Sequence, residues 1–419
     1  MLNSTKQSIF VKAYAGISSN MWILAVAMFI NRCGSMVLLF MSVYLTKQLQ
    51  FSIPQAGFVM AMFGAGSLVG AFIGGKLVDK IGYYPILVWS LLLSGCMLLL
   101  LGQMHSYWLI AFFTFMVTAT GDAFRPANSA SISTYSSKEN YPQAIALNRL
   151  AMNLGFTVGP ILGGLLATVS YTFLFWADGL TCIFAAAFIW FVLPTPIKKI
   201  ATSRKDELDT TEKIDEDTPS QQAVKPQSAQ GPYKDTMYMA FLVFTTLYAT
   251  AFFQFFTSLP LFFKHVYQLS ETHIGWLMAL NGIGVAVIEM FLIYYIQHRW
   301  TKFNFISLGV ILLVGGFMIL VPAHGIYILI ISMFLITLSE MFAMPFMSTY
   351  AITKAPQESM GQYMALYSMS WSIAQIVAPL IGTNIIAHCG FNVLWFVLSG
   401  VALVSFIGFR WMQHKTSKG

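Results

Sequence analysis

Apolar runs long enough to cross a bilayer as helices, about 20 residues each, recur along most of this chain, and that constrains its fold more than anything else. Twelve can be drawn, at 21–45, 55–77, 84–101, 106–134, 142–170, 172–193, 237–263, 272–296, 303–322, 325–352, 359–387 and 391–411. Backbone inside hydrocarbon has no water to bond, so each run must satisfy its own N–H and C=O groups, and a helix does so. Charged residues make up only 9% of the 419, where a soluble domain carries roughly 25%. The expected fold class is therefore an all-α membrane protein with twelve transmembrane helices.

The formal net charge is +7. With both termini cytoplasmic, 18 of the 23 Lys and Arg fall on the inner side, only Lys47 and Lys264 fall outside, and Arg32, Arg125 and Arg149 lie within spans. This is the positive-inside pattern, so the basic surplus sets orientation and calls for no nucleic acid. The first 20 residues are polar and mixed, and the first apolar run is long enough to span, so a retained span is expected there rather than a cleaved signal.

Residues 194–236 break the apolar pattern. They hold 15 of the 39 charged residues, with Pro, Ser and Gln between them, and cannot bury a core, so a cytoplasmic linker is expected. It separates an N-terminal six-helix bundle (1–193) from a C-terminal one (237–419). The halves also repeat. At an offset of 219, Pro126 meets Pro345, Pro160 meets Pro379, Gly163 meets Gly382 and Trp176 meets Trp395. At 218, Ser52 meets Ser270, Gly57 meets Gly275, Gly64 meets Gly282 and Gly66 meets Gly284. Gapless Pro and Gly matches imply a parallel duplication about an axis along the membrane normal, with the working site between the halves near the midplane.

The loop after the second span reads GGKLVDKIGYY, Gly74–Tyr84. It resembles the Gly-x-x-x-Asp-Arg/Lys-x-Gly-Arg-Arg/Lys loop of the major facilitator superfamily: Gly75, Asp79, Lys80 and Gly82 match, and Tyr83 and Tyr84 replace the basic pair. The resemblance implies two pseudo-symmetric six-helix bundles, alternating access, and a cytoplasmic latch at Asp79 that closes in the outward-facing state. GFTVGPILGG in the fifth span (Gly155, Gly159, Pro160, Gly163, Gly164) resembles the Gly-x-x-x-Gly-Pro-x-x-Gly-Gly segment of drug:proton antiporters, with Asn148 where that family carries a further glycine. Small residues at this spacing let helices meet closely, and Pro160 removes a backbone donor.

Ionisable groups inside hydrocarbon are costly and point to function. Glu340 lies close to the midplane of the tenth span and is the first candidate for proton coupling, followed by Asp122 and Glu289; Asp178 reads as structural. Asp122 and Arg125 at i, i+3 can neutralise each other, and Arg149 on the next span is expected beside them, as a proton or substrate element or an inner-gate network. Arg32 is the most central cation, beside Asn31, and is expected to bind an anionic group or to face Glu340. Its surroundings, Phe29–Leu45, faintly resemble the start of proton-coupled peptide transporters, without their carboxylates. Asn153, Gln254, Asn281, Trp371 and Gln375 are either cavity lining or helix–helix contacts.

The four cysteines sit in apolar runs with no Cys-x-x-Cys spacing, the histidines show no metal spacing, and no Gly-rich loop ends in Lys-Ser or Lys-Thr. No metal, cofactor, ATPase or enzyme activity is therefore expected. The partners expected are protons, membrane lipid and a small-molecule substrate, with the chain working as a monomer in the inner membrane of a bacterium. The reading is proton-coupled efflux of small, amphipathic molecules, or alternatively uptake of a peptide, sugar or organic anion by symport. If the linker carries no chemistry, co-expressing residues 1–205 with 230–419 restores transport; complete loss, with both pieces in the membrane, would contradict this.

Overall fold

The computed structural model describes residues 16–137, 140–194, 232–296, 300–321, 325–356 and 359–416. Residues 1–15 and the centre of the expected linker, 195–231, lie outside the described residues. Among the described residues the fold is all-helical. Ten helical segments are long and apolar enough to cross a membrane, and Lys302–Met318 is a shorter apolar helix. The longest segment, Met360–Thr416, is interrupted by the non-helical Gly390 and counts as two crossings. Twelve result, as expected. We number them α1 (Ser19–Gln48), α2 (Ile53–Ile81), α3 (Tyr83–Leu101), α4 (Tyr107–Tyr135), α5 (Tyr141–Val169) and α6 (Thr172–Val192) in the first half. The second half holds α7 (Thr236–His265), α8 (Glu271–Ile296), α9 (Lys302–Met318), α10 (Ile326–Lys354), α11 (360–389) and α12 (391–416).

Local chemistry explains the breaks. Helix α1 is interrupted at Gly34–Ser35. The carboxyl group of Asp178, buried on α6, receives the backbone N–H groups of Met36 (3.1 Å) and Val37 (2.7 Å), so an acceptor from another helix caps the restarted segment. Asp178 thus works at the middle of α1 rather than near the outer surface. Helix α4 breaks at Asp122–Ala123, because Pro126 has no N–H to give the Asp122 carbonyl; Arg125 N–H takes that place at 3.2 Å.

Within the halves, α1 packs on α5 and α6, α2 on α4, α3 on α6, and α9 on α10. Two further contacts cross between the halves, α2 with α11 and α5 with α8. They obey the repeat read in the sequence. A methyl group added at Gly57 of α2 would lie 2.8 Å from the Pro379 carbonyl oxygen of α11, and one at Gly275 of α8 would strike the matching carbonyl of Pro160 on α5. One turn deeper or more, Gly64 abuts the Gln375 backbone and Gly282 abuts Thr157 in the same way. Gly57 and Gly275 match at the repeat offset, as do Pro160 and Pro379 and the pair Gly64 and Gly282.

These contacts cluster toward the side of the membrane opposite the two termini. There Ser42 donates to the Thr257 carbonyl (3.2 Å), Thr46 meets His265 (3.5 Å), and Tyr171 donates to Glu271 (2.7 Å), which also holds Lys264 (2.6 Å). One apolar core joins the second half to the far-side part of the first, through residues such as Phe40, Tyr44, Phe252 and Phe255. A separate core around Leu24, Leu87, Phe124 and Ile189 belongs to the termini-side part of the first half alone. Among the described residues the close contacts between the halves therefore gather on the far side, which is closed.

Overpacking a tight helix contact costs about 1–3 kcal/mol. Gly57→Val and Gly275→Val should each destabilise far-side closure by that order. In a variant without the four native cysteines, a thiol introduced by Thr272→Cys should then react faster with a membrane-impermeant maleimide. An unchanged rate would show that the glycine seams do not hold this side shut.

Candidate functional site

The seam between α5 and α8 leads from the closed side into a cavity of about 80 Å³. Its polar lining is Asn153 from α5, Asn281 from α8 and Glu340 from α10, set against the rings of Phe156, Phe252, Phe255 and Phe256. Asn281 Nδ2 donates to Glu340 Oε2 at 2.8 Å and to Thr337 Oγ1 at 3.3 Å, and Glu340 is half-buried. The amide fixes one carboxylate oxygen and leaves the other without an ion-pair partner among the described residues. The preceding Ser339 bonds the buried Tyr248 hydroxyl at 3.0 Å, which ties α10 to α7 behind the carboxylate. Three helices from both halves thus present one acid to one cavity.

Arg149 does not join Asp122 and Arg125, contrary to the expectation. It reaches across to the other half, where its Nη2 lies 2.5 Å from Glu289 Oε1. Glu289 is buried while the Arg149 side chain is 49% exposed, so the pair sits at an edge of the seam. The reason lies in the seam: α5 faces α8 along the run Gly164, Pro160, Thr157, which carries Arg149 toward α8 and away from α4. Among the described residues this ion pair is the inter-half polar contact nearest the termini. The Asp122–Arg125 pair forms as expected at 3.0 Å, and Ser67 of α2 donates to the other oxygen of Asp122.

Arg32 and Glu340 are not brought together. Arg32 lines a second cavity, about 130 Å³, inside the first half with Asn31, Ser94, Thr118, Asp122 and Cys182. Its guanidinium lies over the Phe156 ring at 5.4 Å, its Nε has no hydrogen-bond partner among the described residues, and Asn31 donates to Cys182 Sγ at 3.6 Å. Phe156 lines both cavities and stands between them. The kink at Gly34 explains the separation, since it turns Arg32 toward α4 and α6.

Other expected lining residues divide. Gln254 is fully buried in the α7–α11 joint, donating to the Ala378 carbonyl at 2.7 Å and accepting from Ser258 at 2.5 Å, so it works as a helix–helix contact. Trp371 packs edge-on against Tyr248, Phe253 and Tyr367, and the Gln375 backbone forms part of the α2–α11 seam. In the fifth helix Gly155, Gly159 and Gly163 seat α1, while Pro160 and Gly164 face α8, so two packing faces share one motif. Sequence reasoning missed Tyr248, Ser339 and Phe156, which look like ordinary packing residues in a chain with 36 Phe and 18 Tyr. Phe156 alone carried a signal, as the one large ring inside the glycine motif.

The GGKLVDKIGYY loop turns from α2 to α3 at Gly82, whose φ of 87° favours glycine. Tyr84 donates toward the Leu193 carbonyl at 3.3 Å and Tyr83 packs edge-on to Tyr135, so the tyrosines dock onto α6 and α4. Asp79 and Lys80 are exposed, and among the described residues Asp79 has no ion pair. Nothing crowds a Cβ at Gly75.

The sequence profile of the Major Facilitator Superfamily matches residues 24–379. The chain belongs to this superfamily. It is 24% identical to a Na(+), Li(+), K(+)/H(+) antiporter of Planococcus maritimus, over 93% of this chain and 94% of that protein. It is 25% identical to Multidrug resistance protein 1 of Bacillus subtilis, over 80% and 82%. Among solved structures, a peptide transporter POT in complex with sulfate superposes with a TM-score of 0.77 at 15% identity, covering 96% of each chain. The nucleoside transporter NupG superposes with a TM-score of 0.75 at 13% identity, covering 94% and 99%. At those identities the superpositions speak for the fold alone. This superfamily chain is an integral membrane secondary transporter of small molecules.

Proposed function

We propose that this superfamily member is a proton-coupled efflux transporter for small, amphipathic molecules. It is placed in the inner membrane of a bacterium with both termini cytoplasmic, as the distribution of Lys and Arg favours. The observation that carries the proposal is Glu340, an acid at the wall between the halves that is met by the Asn281 amide and, among the described residues, by no ion-pair partner. An ionisable group at such a place inside a membrane is costly and marks a functional position, here one that could take and release a proton. The same cavity offers four phenylalanine rings to an apolar or aromatic substrate. Proton and substrate then compete for one wall, which is the arrangement exchange requires.

The relation to an H(+) antiporter and to a multidrug resistance protein supports exchange over symport. The uptake reading rested on Arg32 as a central anion-binding group. That residue lines a cavity within the first half, which weakens it. In this proposal the halves form two rigid bodies joined by the linker, and the far side, closed in this structure, is the periplasmic one. The exposed Asp79 is then a latch in its released state, ready to engage when the cytoplasmic side closes.

Glu340→Gln mimics the protonated acid at nearly unchanged volume. In proteoliposomes it should reduce transport driven by a pH gradient at least tenfold, an effect of about 1.4 kcal/mol or more. Substrate binding and equilibrium exchange should persist. A variant that still moves substrate against its gradient at the normal rate would remove Glu340 from coupling, and Asp122 would take its place.

A further inference from the structure

Two carboxylates of the second half, Glu340 on α10 and Glu289 on α8, face the same helix of the first half, α5. Among the described residues only one holds a cation: Arg149 lies 2.5 Å from Glu289, while Glu340 has the Asn281 amide at 2.8 Å. Arg149 nevertheless stands one helical turn from Asn153, which lines the cavity with Glu340, and the Tyr248 hydroxyl, bonded to Ser339, is a further titratable neighbour. Arg149 is long, flexible and about half-exposed at the seam edge, so exchanging partners requires no unpacking of the core.

We propose that Arg149 is a shared counter-charge that the two carboxylates compete for, and that this competition links proton occupancy of Glu340 to the opening of the halves. The inference rests on Glu340 as the proton site. With Glu340 protonated it has little claim on the guanidinium, and Arg149 stays on Glu289. That is the pairing present while the far side is closed. When Glu340 releases its proton to water on the termini side, it becomes an anion and draws Arg149 away from Glu289. The pair that accompanied the present conformation is lost, and a pair deeper in the seam replaces it. Because α5 and α8 belong to different halves, each pairing favours a different register of the seam. Protonation therefore favours the far-side-closed state and proton loss the opposite one. A ligand shifts such an equilibrium only by its differential affinity for the two states, and here the proton obtains its differential through Arg149.

The sign of each substitution follows. Glu289→Gln removes the competitor, leaves Arg149 to Glu340 and favours the ionised form, so the conformational midpoint moves to lower pH. Arg149→Gln removes the cation that rewards ionisation, so the midpoint moves to higher pH. A neighbouring charge typically moves a carboxylate by about 1–3 pH units, and a shift of about one unit is expected in each case. Arg149→Lys keeps the charge and should lie nearer to wild type.

The test uses the full chain without its native cysteines, spin-labelled through Ser133→Cys and Ile352→Cys, on the termini-side ends of α4 and α10. Pulsed dipolar distances are recorded across pH in nanodiscs. The unsubstituted pair should show the long distance at low pH and the short one at high pH. Opposite midpoint shifts for Glu289→Gln and Arg149→Gln are expected, with Glu340→Gln fixed at the long distance at every pH. If Glu340→Gln abolishes the pH response but neither Glu289→Gln nor Arg149→Gln moves the midpoint, the shared counter-charge is wrong and the proton site stands. If Glu340→Gln retains the full response, the proton site itself is wrong, and the inference falls with it.

Discussion

Proline carbonyls pressed against glycines hold the two halves of this transporter together. Pro160 lies against Gly275, and Pro379 against Gly57. Without a Cβ, a glycine lets two helix backbones approach to van der Waals distance, and in a bilayer such packing, rather than hydrophobic burial, supplies the attraction between helices. Both seams sit toward the far side, so the structure is shut there. Every later feature depends on this. The α5–α8 seam ends in the Glu340 cavity, and its termini-side continuation is the Arg149–Glu289 pair. The seams also contain few polar bonds, so they can open without stranding buried donors or acceptors.

The charges divide into two kinds by what meets them. Asp178 is buried but receives two backbone N–H groups at the break of α1, so its oxygens are spent on holding that break. Asp122 is held by Arg125 and Ser67 in the first half. Glu340 stands apart: its described partners are a neutral amide and a cavity, and the pair that crosses the halves lies along the same α5–α8 seam. A group whose compensation depends on the relative position of two bodies is suited to couple a proton to their motion. Arg32 is not such a group, because Phe156 and the wall of the first half separate it from Glu340.

The fold was legible because its signals are long or repeated. Runs of apolar residues declare each helix, and the gapless Pro and Gly matches turn out to be the symmetric contacts themselves. Ser52 and Ser270 illustrate this at small scale. Each receives the backbone N–H three residues on, at 3.4 Å, and so starts the matching helices α2 and α8. The site was less legible. Depth along a span can be counted, so Glu340, Asn281 and Asn153 were found, but facing cannot be counted once a helix kinks. The break at Gly34 took Arg32 away from the centre, and the line of the α5–α8 seam took Arg149 to Glu289. Gln254 was indistinguishable from a cavity residue in sequence because a buried glutamine serves either purpose.

Exchange of a proton for substrate is the central claim, and it can be read without any substitution. Purified protein is reconstituted into liposomes that trap a pH-sensitive dye, and a panel of amphipathic molecules is added on one side. For a transported molecule the account predicts proton movement opposite in direction to substrate, collapsed by a protonophore and faster when the imposed pH gradient is steeper. Substrate movement with protons travelling in the same direction, or with no proton movement at all, would contradict it.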